Sequence, residues 1–246
     1  MQIIKSALLN KYHELIFGFS TKIGLERTAP YFFNMSLTVG DDIETVKQNR
    51  DAFFKEIGLD LSQIALQKQI HSEIITAVNE AGLIGESDAM ITAKPGIGLA
   101  ISTADCTPIF IYDNRNHLIA AVHSGWRGTT KKILDKTLNR LKEEYNSRAD
   151  DLIVYVGPSI SQKNYEVGKE VAQQFDNKYL LYENNKIYLD VASANLDMIY
   201  NFGVPTDQVE QSPLCSFEEK NLLHSFRRDG KFSGRSLGII ALKVNG

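Results

Sequence analysis

Two apolar runs separated by a short polar break limit the fold more than any other part of the chain. Residues 107–112 (TPIFIY) and 118–122 (LIAAV) flank Asp113-Asn114-Arg115-Asn116, the pattern of a β-hairpin. Side chains alternate along a strand, so Phe110 and Ile119 share one face while Ile109, Ile111 and Leu118 share the other. Both faces are apolar, and the hairpin is therefore expected to lie centrally and to be covered on both sides. Centring the turn between Asn114 and Arg115 sets Cys106 directly opposite His123, with Cβ atoms roughly 4.5–5.5 Å apart. A thiol and an imidazole at that separation can share a metal ion or act as nucleophile and base. The chain holds two cysteines and five histidines, so few other pairs could do this chemistry.

Composition narrows the class. The 246 residues carry a formal charge of −3, with no basic stripe or tail, which speaks against nucleic-acid binding. No apolar run approaches the roughly 18 residues of a membrane-spanning helix, and the first twenty residues lack the core of a signal peptide. Two cysteines cannot build a disulfide framework for a chain of this size. A cytoplasmic protein with reduced thiols is the expectation.

No repeat, low-complexity tract or long linker interrupts residues 1–246, which are taken as one catalytic domain. Helices are expected over residues 42–57, 131–146 and 167–175, and from a cap at Ser193 to just before Gly203. Strands are expected over 14–20, 64–69, 73–78, 98–102, 152–156, 187–191, 209–214, 222–226 and 235–244. Residues 125–130 form a tight loop, with Thr129 or Thr130 capping the helix that follows. Strands and helices do not alternate as βαβ units. The predicted class is therefore α+β, a single layered domain of mixed β-sheets with flanking helices.

His71, between two strand-like runs, is the third candidate ligand. His71, Cys106 and His123 make a three-donor set that leaves the fourth tetrahedral position of a catalytic zinc for water or substrate. Asp105, beside Cys106, is placed to orient a ligand or to act as general acid or base. The turn Gly125-Trp126-Arg127-Gly128-Thr129-Thr130 leads into a helix, and Arg127 can meet a phosphate or carboxylate. In the predicted strand before Asp229, one of Arg227 and Arg228 should face a site and the other solvent or Asp229. Asp88 reads as a turn former, His224 as packing, and His13 and His117 as peripheral.

With these residues in place the chain resembles the YfiH family, also known as laccase-domain or purine nucleoside phosphorylase-like proteins. The matching blocks are GFSTK (18–22), NMSLTVGDD (34–42), QIHS (69–72), SDAMIT (87–92), TADCTP (103–108) and AVHSGWRGT (121–129). They continue through VGPSI (156–160), YEVG (165–168), LDVASAN (189–195) and SFRRDGKFSGR (225–235). The resemblance implies a layered α+β fold and a zinc site at His71, Cys106 and His123. It implies purine nucleoside and phosphate as partners, met by Asn34, Gln69, Arg127, Arg227 and Arg228. The implied activities are phosphorolysis of adenosine, inosine and guanosine, cleavage of methylthioadenosine, and deamination of adenosine. Some relatives are described as editing a peptidoglycan precursor, which fits a cysteine hydrolase with Cys106 as nucleophile and His123 as base. A copper-dependent polyphenol oxidase fits worst, because a multicopper site needs more imidazoles than five. The chain departs from the family pattern at Lys22 (usually arginine), Ser36 and Thr38 (often glycine and histidine), Ser159 (often cysteine) and His224 (usually aromatic).

Overall fold

A computed structural model of the chain describes residues 1–244. The strands are β1 (Ile3–Ile4), β2 (Leu15–Ser20), β3 (Ile64–Lys68), β4 (Ile75–Ala77), β5 (Gly82–Glu86), β6 (Ala89–Thr92), β7 (Gly98–Thr103) and β8 (Thr107–Asp113). They continue with β9 (Leu118–Ser124), β10 (Leu152–Val156), β11 (Glu166–Val167), β12 (Leu180–Glu183), β13 (Lys186–Leu189), β14 (Val209–Gln211) and β15 (Ser236–Leu242). The helices are α1 (Ile43–Glu56), α2 (Trp126–Thr130), α3 (Ile133–Tyr145), α4 (Lys169–Ala172), α5 (Val191–Phe202) and α6 (Phe226–Asp229). No helix among the described residues is long and apolar enough to cross a membrane.

Two six-stranded mixed sheets carry the fold, in the orders β1-β2-β15-β7-β3-β5 and β14-β10-β8-β9-β6-β4. They pack face to face. Phe17, Phe19, Leu99, Ile101 and Ile240 of the first sheet meet Phe110, Tyr112, Ile119, Ala121 and Tyr155 of the second in one apolar cluster. The alternate residues of the second sheet, Ile109, Ile111, Ala120 and Val122, pack on Leu134, Leu138 and Leu141 of α3 and Ile199 of α5. The outer face of the first sheet is covered by Phe53 and Phe54 of α1. The architecture is therefore α+β, with helix, sheet, sheet and helix in layers. A smaller sheet, β11-β13-β12, lies beyond these.

The hairpin is central and buried along its whole length. Its register differs from the expectation by two residues: Pro108, not Cys106, pairs with His123, and Asp113 pairs with Leu118. The turn is the four residues between them, because the Asp113 carboxylate accepts from the main-chain N–H of Arg115 and Asn116 and so belongs to the strand end. A shift of two preserves the pleat. Cys106 and His123 stay on one face, diagonal rather than opposed.

Other differences have local causes. Asp190, not Ser193, caps α5, its carboxylate accepting from Ser193 N, and Gly203 closes that helix at φ 104°. Residues 125–130 wind into α2 capped by Gly125, and neither Thr129 nor Thr130 caps α3. The helix expected over 167–175 is reduced to α4, preceded by β11. Residues 222–226 form no strand. Ser225 instead caps α6 by accepting from Arg228 N, which puts Arg227 and Arg228 on a helical turn.

Candidate metal centre

Asp88 organises the site. It is completely buried, at the point where the β6–β9 ladder, with Ala89 paired to Val122, runs on to His123. Its carbonyl accepts from His123 N at 2.7 Å. Carboxylate Oδ1 accepts from His123 Nδ1 at 2.8 Å and His71 N at 3.1 Å. Oδ2 accepts from Ser72 N at 2.6 Å, Ser72 Oγ at 2.7 Å and Ile70 N at 3.2 Å. Burial alone would raise this carboxyl's pKa, but the bonds from His123 and Ser72 hold it down at about 2. Gathering three consecutive N–H groups also holds His71 in the left-handed region, at φ 57°, which a non-glycine residue adopts only when its surroundings impose it. Gln69 fixes the same segment from the other side, its side-chain amide donating to Ser102 O and accepting from Ser102 N.

These supports bring His71, Cys106 and His123 together, with one donor atom from each lying within 4.8 Å of the others. The two rings meet edge-on at 4.9 Å between centroids, and His71 Nε2 is 3.8 Å from Cys106 Sγ. A tetrahedral zinc with ordinary Zn–S and Zn–N bonds separates such donors by roughly 3.5 Å, so the set fits that ion. His123 is buried, and His71 and Cys106 are mostly covered but reach solvent, so the trio is accessible from one side. Burial would raise the Cys106 pKa, yet the charge of His123 and hydrogen bonds from both rings bring it down to about 6. Burial would lower that of His123, and the Cys106 charge together with Asp88 raises it to about 9. The thiol is thus poised to ionise near neutrality, the form that binds a metal or attacks a carbonyl. Gly125 is required beside it: a Cβ there would stand 2.7 Å from Cys106 Sγ and 3.3 Å from His71 Cδ2.

Asp105, at φ 93°, accepts from Ser216 Oγ at 2.7 Å and from Arg227 N at 2.6 Å. Both its oxygens are engaged in tying the 215–228 segment to the Cys106 turn. Asn34 is similarly occupied, donating to Ser36 O and Asp41 and accepting from Ser36 N and Arg235 N. Arg228 directs its guanidinium to Asp229 and to the carbonyls of Ser216, Phe217 and Leu223. Arg127, exposed, lies over the Trp126 ring at 4.3 Å. Arg227 lies over Tyr165 at 4.9 Å and donates to Glu166 O. Three residues of this region were not anticipated as site residues: Asp88, Tyr165 and Arg235.

A family model described as multi-copper polyphenol oxidoreductase laccase matches residues 16–243. The crystal structure of the Bacillus licheniformis hypothetical protein YfiH superposes with a TM-score of 0.90 at 28% identity, covering 96% of this chain and 94% of that one. The chain belongs to the YfiH family. Its YfiH-family relatives include a purine nucleoside phosphorylase of Bacteroides thetaiotaomicron, 34% identical over 228 residues that cover 85% of this chain and 84% of the relative. Another, named adenosine deaminase RL5 and from an unknown prokaryotic organism, is 31% identical over 222 residues, 82% of this chain and 84% of its own.

His224 is buried, and its Nε2 has no partner among the described residues. Burial, reinforced by the nearby charges of Lys22 and Arg235, brings its pKa down to about 3, against weaker support from the Phe33 main chain and Asp229. The ring is therefore neutral in the fold but protonates below about 6.5 once unfolded. The unfolded state then binds more protons, and stability falls as pH drops from about 6.5 towards 3. At pH 5 the loss from this residue is about 2 kcal/mol. Urea melts at pH 7 and pH 5 should show His224→Phe losing less than the parent protein; equal losses would contradict the assignment.

Proposed function

We propose that this chain is a zinc-dependent purine nucleoside enzyme that phosphorolyses adenosine, inosine, guanosine and methylthioadenosine and deaminates adenosine. The observation that carries the reading is the convergence of His71, Cys106 and His123 on one point, open on one side and held from behind by Asp88. The names of the relatives supply the substrate class. His71, Cys106 and His123 would hold the zinc, which would supply Lewis acidity when bound.

The protein's own groups do the rest. Asp88 keeps the proton on His123 Nδ1, which leaves Nε2 free to act as a ligand. In phosphorolysis a phosphate oxygen bonds to ribose C1′ as the C1′–N bond breaks and the purine leaves with that electron pair. Cationic side chains at the mouth, Arg127 and Arg227 among them, favour the bound phosphate. Asp105 acts as a positioning residue, since both its oxygens already accept hydrogen bonds.

The test is a panel of purine nucleosides with and without inorganic phosphate, following free base by chromatography and zinc per chain by elemental analysis. Base release that needs both zinc and phosphate is expected. Equal turnover by zinc-stripped protein, or none with any nucleoside, sinks the reading.

One observation favours a second reading. Cys106, His123 and Asp88 form a nucleophile, base and orienting carboxylate in sequence, with a lowered thiol pKa, as a cysteine hydrolase acting on an amide requires. Zinc-free activity abolished by alkylation of Cys106 would favour it. The copper-oxidase description finds no wider ligand set: the trio is the only group of three or more metal-capable side chains among the described residues.

A further inference from the structure

Among the described residues Arg127, Arg227 and Arg235 keep guanidinium donors without a partner, and the one most rigidly placed is Arg235. Ser236 pairs with Thr103 on the β15–β7 ladder, which sets Arg235 beside Ala104, two residues from Cys106. Its main-chain N–H donates to Asn34 Oδ1 at 2.9 Å, and its carbonyl accepts from Met35 N at 3.0 Å. The guanidinium is half-buried and lies over the Phe226 ring at 5.3 Å. Phe226 is itself held at the site, because the next residue, Arg227, donates its N–H to Asp105.

Two separate segments thus bring this side chain to the Cys106–Asp105 turn. Among the described residues only Nη1 is used, donating to the carbonyls of Ser233 and Gly234. No described carboxylate forms an ion pair with it. Asp105, the nearby acid, has both oxygens taken by Ser216 and Arg227 N, so Nε and Nη2 remain as a two-pronged donor. Arg228 differs sharply, with every nitrogen of its guanidinium bonded to protein.

We propose that Arg235, stacked on Phe226, is the phosphate-binding arginine of this site, and that Arg228 is a structural strut. A planar fork with two free N–H groups matches two oxygens of a tetrahedral anion. The ring beneath it limits the orientations the guanidinium can take, so little freedom is lost on binding. The proposal rests on the phosphorolysis reading for the identity of the anion; the placement of the side chain does not.

The experiment measures inorganic phosphate binding to the zinc-loaded protein by calorimetry, alongside KM for phosphate and for inosine. Arg235→Gln should weaken phosphate binding by roughly tenfold or more and raise KM for phosphate more than KM for inosine. Arg235→Lys should fall between it and the parent protein. Phe226→Leu, which keeps every charge, should weaken phosphate binding by about two- to fivefold. Melting curves of each variant separate misfolding from lost binding, and the conservative Phe226→Leu keeps the test open if Arg235→Gln fails to fold.

Unchanged phosphate affinity in folded Arg235→Gln overturns the proposal, as does a parent protein that binds no phosphate. In the second case, zinc-dependent turnover of nucleosides would leave the enzyme reading standing. Phosphate held through Arg235 without any nucleoside turnover would instead keep the anion site and remove the nucleoside reading.

Discussion

Asp88→Ala is expected to destabilise the fold by about 3–5 kcal/mol, the cost of breaking a buried, hydrogen-bonded charge pair, and to weaken zinc binding by roughly 10- to 100-fold. The reason is the number of donors it leaves behind. Three consecutive main-chain N–H groups, the Ser72 hydroxyl and His123 Nδ1 all point at this one carboxylate, where water has little access. Asparagine is not a mild replacement. Oδ2 accepts from three groups and Oδ1 from two, so whichever way the amide is turned its NH2 faces at least two other donors. Asp88→Asn should therefore lose much of the same stability and metal affinity. Urea melts at pH 7 and competition with a zinc chelator measure the two effects. Asp88→Asn matching the parent protein in both would show that the carboxylate does not orient His123.

Residues whose side chains alternate regularly were the most legible part of the sequence. The period of two in β8 and β9 assigned both faces correctly, because each face meets a different apolar layer. Register was harder, since Asp113 has turn chemistry yet ends a strand. The site survived that error because a slip of two residues does not turn a side chain over. Asp88 is hard to read for the opposite reason. Ser87-Asp88 has the composition of a turn, and only the pairing of β6 with β9 shows the aspartate to be opposite His123. The apolar strand directly after it, with all four residues buried, was the available hint. Asn184-Asn185, at φ 50° and 61°, turns the β12–β13 hairpin, whose first strand is absent from the sequence expectation although this dipeptide is a hairpin signal. Leu222 and Leu223 suggest a strand until Ser225 and Arg228 draw the following residues into a helical turn, a tertiary decision with no local period. Which arginines remain free is of the same kind. Arg228 and Arg235 differ only in what the folded chain places around them.

His71→Ala is expected to remove bound zinc and to lower phosphate-dependent base release by about three orders of magnitude or more, equivalent to some 4 kcal/mol of transition-state stabilisation. The substitution is informative because His71 does little else. His71 is partly exposed, and among the described residues its ring hydrogen-bonds only to Cys106 Sγ, 3.8 Å away. Its place in the chain is held through the main chain, by Asp88 and by the neighbouring Gln69, and those bonds survive the loss of the ring. A folded protein that melts like the zinc-stripped parent and holds no zinc is the predicted state. The two chemical readings part at this residue. A metal site needs all three donors, since two protein ligands hold zinc weakly and place it poorly. A thiolate attacking an amide needs Cys106, His123 and Asp88, and in that mechanism His71 is a bystander whose removal leaves most of the activity in place. Elemental analysis and turnover measured on the same preparation decide between them: zinc and activity lost together mark the metal enzyme, whereas activity persisting without zinc assigns the chemistry to the cysteine.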